Sequence, residues 1–298
     1  MLDYSVLGDT NGGEIVMCLY PVNVRARPHG ALSFPVTVSC GKCLECQRQK
    51  SIEWSFRIMD ECSVHEQNCF ITLTYNEESL PDPPFVSRRE VQLFMKRIRK
   101  EIAPLKIRFF ACGEYGKKNQ RPHYHAILFG YFPNDCWLWK IEDGIELYRS
   151  PMLEKCWTYG FSSVGKVTEK TALYCAKYMN KYAYDNGKQL RSAYPDDPDC
   201  PFFDKITPPF IQMSNRPGIG FDSVYKCDLN SDRIYRNGRW TKIPRYYLKV
   251  MERDGIYLDE FRERRQVAGE IIARCTDLNQ KRDKFFAKFL EKKFVKKS

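Results

Sequence analysis

The stretch RPHYHAILFG, residues 121–130, places two of the chain's four histidines one residue apart in a segment that otherwise reads as a buried strand. Side chains at i and i+2 of a strand share a face, about 7 Å apart. His123 and His125 therefore aim together, and Tyr124 faces the opposite way. Two neutral imidazoles on one face can hold one divalent ion, with a neighbouring carboxylate as third ligand. Glu114, in CGEYG (112–116), ends the preceding strand KIRFFACGEYG, and a hairpin would bring it alongside. One carboxylate and two imidazoles suit Mg²⁺ or Mn²⁺ with coordination positions left open, as a catalytic metal requires. The alternative is a pair of structural histidines hydrogen-bonded at a sheet edge.

Outward from this strand the pattern is that of an α+β chain with a central, mainly antiparallel sheet flanked by helices. CFITLTY (69–75) is short, β-branched and aromatic, and predicts a strand. Ser87 and Glu90 form an S-x-x-E capping box for a helix through VQLFMKRIRKEI, with Val91, Phe94, Met95, Ile98 and Ile102 as its apolar stripe and Pro104 beyond its end. Ile52, Phe56 and Met59 mark another helix within 45–62. TEKTALYCAKYMNKYAYDNG (168–187) predicts a helix stopped at Asn186-Gly187. On it Tyr174 and Tyr178 are spaced i, i+4 and share a face, which Lys177 and Lys181 flank. Ala172, Cys175, Ala176, Met179 and Ala183 cluster elsewhere and would pack on the sheet. A phenol with a pKa of about 10 is a weak nucleophile unless a cation and a polarised electrophile assist it. The plainer reading of such tyrosines is aromatic packing with a surface hydroxyl.

Residues 1–39 read as short strands and loops, 188–244 as loops with short strands, and 258–295 as helical. These readings divide the chain into a Cys-containing segment (1–66), a core (67–190), and a loop-rich then helical, basic C-terminal region (191–298). The last 18 residues, 281–298, carry eight Lys/Arg against two Asp/Glu. The whole chain of 298 residues has a formal charge of +11, and 43% of its residues are hydrophobic. That composition describes a folded basic protein with an anionic partner, most simply nucleic acid. No apolar run reaches membrane-spanning length. The start lacks the basic and apolar regions of a secretory signal, so the thirteen cysteines read as reduced thiols.

Cys40, Cys43 and Cys46 in CGKCLEC are spaced C-x₂-C-x₂-C. Structural zinc wants four ligands, and Cys18, His29, Cys62 or His65 could supply the fourth; a metal-free turn of reduced thiols is the alternative. An iron–sulfur run would need a cysteine where Lys50 stands. GFSSVGKV (160–167) has phosphate-loop spacing, but Val167 replaces the Ser or Thr that would hold Mg²⁺. It reads as a strand. No nucleotide cofactor and no helicase domain are expected.

Three segments, in order, resemble the motifs of rolling-circle replication initiators, the HUH endonuclease superfamily: FITLTY (70–75), RPHYHAIL (121–128) and YCAKYMNK (174–181). The Y-x-x-K-Y form is similar to that of initiators from small circular single-stranded DNA phages. CGEYG and CGKCLEC point to the gokushovirus branch of the microviruses. MSNRPGIG (213–220) also looks familial. The resemblance implies a ferredoxin- or RRM-like core and a divalent metal on His123, His125 and Glu114. It also implies attack by Tyr174 or Tyr178 on origin single-stranded DNA, leaving a 5′-phosphotyrosine and a free 3′-OH. Lys177 and Lys181 would balance phosphate charge or assist the phenol. Arg108, Lys117, Lys118 and Arg121 are candidates for strand contact. Host helicase and DNA polymerase would be partners, in the host cytoplasm, with no membrane involved. Two other readings stay open: a non-catalytic zinc-dependent DNA-binding regulator, and a mobilisation relaxase or transposase with the same chemistry. Relaxases usually carry the tyrosine before the histidine pair, whereas here it follows.

Overall fold

A computed structural model describes residues 18–26, 34–116, 119–142, 144–185, 207–231, 233–236 and 239–275. By its internal contacts the chain forms two compact units. One is Lys50–Val224, and the other joins Met1–Gln49 to Tyr225–Ser298.

The Lys50–Val224 unit is built on a seven-stranded sheet in which every neighbouring pair is antiparallel. Its strands are β3 (Asn68–Tyr75), β4 (Arg108–Tyr115), β5 (Pro122–Phe129), β6 (Trp137–Glu142), β7 (Ile145–Arg149), β8 (Gly160–Lys166) and β9 (Phe210–Met213), in the order β6-β7-β8-β3-β5-β4-β9. Helix α1 (Leu44–Cys62) precedes β3. Helix α2 (Arg88–Glu101) connects β3 to β4, α3 (Pro151–Cys156) precedes β8, and α4 (Glu169–Asp185) follows it. With the β6–β7 ribbon inserted after β5, the succession β3-α2-β4-β5-(β6-β7)-α3-β8, with strand order β8-β3-β5-β4, is the split βαβ arrangement of ferredoxin-like folds. The expected α+β architecture is therefore present. GFSSVGKV lies in β8, as a strand.

Strand alternation divides the sheet into two faces. In β3, Cys69, Ile71, Leu73 and Tyr75 point to one face, where Val91, Phe94, Met95 and Ile98 of α2 and Leu153 and Cys156 of α3 meet them. Each fully buried side chain of this size contributes about 1.5–3 kcal/mol relative to exposure. The opposite face carries Phe110, Cys112, Ile127 and Phe129, and it is covered by Ile58 of α1 and by Ala172 and Cys175 of α4. Glycine is required at Gly160. It lies at φ +155°, and a Cβ there would meet Thr74 O at 2.5 Å and Asn76 N at 2.4 Å.

The capping box expected at α2 takes a different form. Ser87 is the N-cap residue, but its side chain makes no cap hydrogen bond. Its backbone N–H donates to the Tyr124 hydroxyl (2.8 Å), and that hydroxyl donates to Glu90 (2.7 Å). The phenol from β5 is thus inserted between the two halves of the box, and it ties the helix start to the sheet. A second anchor holds the MSNRPGIG segment. Glu61 of α1, buried, pairs with Arg108 (2.6 Å) and accepts from Gly220 N (2.7 Å), while Arg108 and Arg57 donate to the carbonyls of Pro217 and Ile219.

In the other unit, β1 (Val22–Ala26) and β2 (Phe34–Val38) form an antiparallel hairpin. The strands β10 (Arg233–Arg236) and β11 (Arg239–Lys242) form a second, followed by α5 (Arg245–Arg253) and α6 (Asp259–Cys275). The basic tail 281–298 lies outside the described residues. No described helix is long and apolar enough to cross a membrane.

Candidate functional site

The β4–β5 hairpin puts Glu114 directly opposite His123 in register, and His125 opposite Cys112. All point to the face that α4 covers. The hairpin is closed by Gly116 N–H donating to Arg121 O (2.9 Å) and Gln120 N–H donating to Gly116 O (3.1 Å). Glu114 Oε1 lies 3.0 Å from His123 Nε2 and 2.9 Å from His125 Nε2. The nucleophile candidate joins them, since the Tyr174 hydroxyl donates to Glu114 Oε1 (2.9 Å) and lies 3.4 Å from His125 Nε2.

Each imidazole is held from behind. His123 Nδ1–H donates to the Arg121 carbonyl (3.1 Å), which fixes the tautomer and leaves the Nε2 lone pair turned toward Glu114. His125 Nδ1 bonds Thr72 Oγ1 (3.0 Å), and its ring stacks on Phe70 with centroids 5.5 Å apart. Burial holds the His125 pKa below the ordinary histidine range, against the pull of the Glu114 carboxylate. With both Nε2 atoms unprotonated, two nitrogen lone pairs and a carboxylate oxygen would face one point, a donor set that fits a divalent ion. Glu114 is 1% exposed and Tyr174 is 39% exposed, so the cluster is anchored in the core and reachable from solvent along α4.

The phase of α4 is set at its start. The Thr168 hydroxyl accepts from Thr171 N–H (3.2 Å), and the Thr171 hydroxyl accepts from Thr168 N–H (2.8 Å), a reciprocal cap. Ala172 and Cys175 then face the sheet, and Tyr174 reaches past them to Glu114. Lys177 is exposed on the same helix. Tyr178 and Lys181 lie on its backbone, but their side chains are outside the described residues.

The profile of the replication-associated protein ORF2 family matches residues 68–183, a span from the start of β3 to the tyrosine helix. Over that span the chain is similar to this family. It is 29% identical over 250 residues to replication-associated protein ORF2 of Spiroplasma virus 4, covering 77% of this chain and 73% of that protein. It is 30% identical over 242 residues to replication-associated protein ORF4 of Chlamydia phage 1, covering 76% and 56% respectively. Identity to replication-associated protein VP4 of Bdellovibrio phage phiMH2K is 29% over 249 residues, 79% of this chain and 71% of that one. No solved structure matches the chain. The chain is accordingly similar to replication-associated proteins of three phages over about three quarters of its length.

The residues expected to meet DNA are placed less simply. Arg108 is engaged by the buried Glu61. Arg121 pairs with Glu77 (2.5 Å) and donates to Tyr75 O (3.0 Å), beside the histidine strand. Lys117 and Lys118 lie outside the described residues. A feature the sequence reading did not anticipate is the β6–β7 extension of the sheet. Trp137, Trp139 and Ile141 of β6 are half-exposed, as is Phe161 of β8. Arg149 lies over both the Trp139 ring (5.5 Å) and the Phe161 ring (5.4 Å), and Lys140 lies 4.7 Å from the Trp139 centroid. Phe161 pairs with Thr74, and Thr74 with His123, so Phe161 is two strands from the histidines on the same face. The signal available in the sequence was WLWK, an apolar and basic interleaving without strand alternation.

Among the described residues a second group of metal-type side chains converges: Cys18, Cys40, Cys43 and Cys46. The fourth partner of the CGKCLEC cysteines is thus Cys18. Cys62 and His65 lie at the other end of α1, where His65 pairs with Glu61 (3.3 Å), and His29 is outside the described residues.

Proposed function

We propose that this protein is the HUH-type initiator of rolling-circle replication in its phage, an endonuclease that nicks origin single-stranded DNA and later rejoins it. The observation that carries the reading is the Tyr174 hydroxyl hydrogen-bonded to Glu114 at the point where His123 and His125 converge. A divalent ion held by His123 Nε2, His125 Nε2 and Glu114, Mg²⁺ or Mn²⁺ by its donor set, would supply Lewis acidity to the scissile phosphate.

Tyr174 attacks phosphorus as its phenol proton leaves toward the acceptor cluster. The P–O3′ bond breaks, giving a 5′-phosphotyrosine and, after protonation, a free 3′-OH. The phosphoester energy is retained, so no nucleotide cofactor is needed. The 3′-OH primes a host polymerase, with a host helicase opening the duplex. Tyr178, one turn along α4, cleaves the regenerated origin, and the first phosphotyrosine is resolved by the new 3′-OH. Lys177 and Lys181, on the same helix, would balance phosphate charge or assist the phenol. Trp139 and Phe161, with Arg149 between them, give the bases a stacking path on the site face, in the manner of sequence-tolerant single-strand binders. Arg121 lies at the near edge of that path, and Lys117 and Lys118, between β4 and β5 in the sequence, are further candidates for strand contact.

The test is incubation with end-labelled origin single strand and Mn²⁺, read as adduct stable to denaturing electrophoresis. Wild type forms the adduct and the Tyr174→Phe/Tyr178→Phe variant does not. A protein that retards the strand without cutting it is a binding regulator, and that result overturns the reading.

A further inference from the structure

The four cysteines of the N-terminal unit play no part in the chemistry above, and their arrangement calls for its own account. All four Sγ atoms lie within 4.8 Å of one another. Cys40 Sγ and Cys46 Sγ are 4.0 Å apart, and Cys43 Sγ and Cys18 Sγ are 3.9 Å apart. A disulfide would put sulfurs at about 2.05 Å. Four thiolates on tetrahedral zinc, with Zn–S of about 2.3 Å, put them at about 3.8 Å. The four are free thiols, and the spacings fit the second geometry.

The surrounding backbone supports the same arrangement. Cys40 N–H donates to Cys18 Sγ (3.2 Å), and Cys43 N–H donates to Cys40 Sγ (3.3 Å), bonds that favour sulfur in its charged form. Cys43 occupies the N-cap position of α1, its carbonyl accepting from Gln47 N–H (3.0 Å), where Ser, Thr, Asp or Asn is the usual choice. Cys46 stands one turn further in, so the positive end of the helix meets the thiols. Cys18 lies just before β1 and Cys40 just after β2, so the pair marks the open end of that hairpin. A lone two-stranded hairpin is marginal in water, and Val22, Val24 and Val38 of this one are exposed.

We propose that Cys18, Cys40, Cys43 and Cys46 bind one structural zinc ion, which fastens the root of the β1–β2 hairpin to the start of α1. Binding converts four thiols to thiolates, releases four protons and leaves a closed ZnS₄ centre of net charge −2 with no open position. The centre is therefore structural, distinct in chemistry and place from the oxygen–nitrogen cluster at Glu114.

The experiment uses the full chain carrying His123→Ala and His125→Ala, purified without chelator, so that the other cluster contributes no metal. Zinc is counted by elemental analysis, and cobalt-exchanged protein is read for the intense visible bands and near-ultraviolet charge transfer of tetrahedral cobalt thiolate. The expected result is one zinc per chain, falling at least tenfold with Cys18→Ser and unchanged with Cys69→Ser. Cys18→His should keep the metal and shift the cobalt spectrum to that of an S₃N site. Zinc below a tenth of an equivalent in the parent overturns the proposal, as does full retention in Cys18→Ser or an unaltered cobalt spectrum in Cys18→His. If the Cys18 variants are insoluble, the parent's cobalt spectrum decides: four-thiolate charge transfer supports the site and its absence removes it.

Discussion

Strand β5 has two faces that use a carboxylate in opposite ways. Toward α2, Tyr124 donates its hydroxyl to Glu90 and accepts from Ser87 N–H, and the Tyr75 hydroxyl also donates to Glu90, so donors meet acceptors at the edge of the core. Toward α4, one residue either side, the Nε2 atoms of His123 and His125 both meet one Glu114 oxygen, a donor set that suits a cation. A satisfied network stabilises, whereas convergent acceptors beside an accessible phenol are poised for chemistry. The two faces should therefore separate stability from activity when they are mutated.

The largest separation is expected from Tyr174→Phe. Loss of the attacking oxygen should lower first-strand cleavage by on the order of 10³-fold or more, with stability changed by only about 0.5–1.5 kcal/mol, the worth of one hydrogen bond. Rapid-quench cleavage and calorimetry on the same preparation measure both. Next is the stacking path. Trp139→Ala or Phe161→Ala should weaken single-strand binding by about 10- to 100-fold, from roughly 1–3 kcal/mol per stacked base, in fluorescence anisotropy. Thr72→Val removes the partner of His125 Nδ1 and should weaken Mn²⁺ activation by about 10- to 100-fold, seen as a shift of the metal titration at constant saturating rate.

The opposite face should show the reverse pattern. Tyr124→Phe leaves Ser87 N–H without its acceptor and Glu90 with the Tyr75 hydroxyl alone, and should cost about 1–3 kcal/mol of stability, while cleavage per folded molecule persists. Denaturant unfolding and an active-site titration together test it. The smallest effect is in pH. Burial raises the Glu90 pKa above its ordinary value, although the Tyr124 hydrogen bond pulls it back down. The folded state thus holds this proton more tightly than the unfolded state does. The contribution is complete below about pH 4.5 and declines as pH rises through the raised pKa. Glu90→Gln should flatten that decline, and an unchanged pH profile of the midpoint would break the assignment.

The sequence made the face toward α4 legible because strand and helix periods are local. The i, i+2 histidines, a hairpin returning Glu114, and a helix whose alanines and Cys175 mark its packing side follow from short-range geometry. What it hid was long-range pairing. Arg108 reads as a free cation until Glu61, on a separate helix, is seen to engage it. Ser87 and Glu90 satisfy the local capping rule, yet a phenol from β5 comes between them. The β6–β7 ribbon is an exposed sheet extension, so it carries little of the alternation by which a half-buried strand is found. Cys18 was one of four possible partners for Cys40, Cys43 and Cys46, and only the chain's return past β2 selects it.

The most direct test is to identify the residue that carries the DNA. Trypsin separates the tyrosines, since Thr171–Lys177 holds Tyr174 and the next fragment, 178–181, holds Tyr178. After a single round on origin single strand with Mn²⁺ and nuclease trimming, mass spectrometry should find the nucleotide mass on Thr171–Lys177. A DNA-linked peptide confined to any other part of the chain would contradict the assignment of Tyr174 as the attacking group.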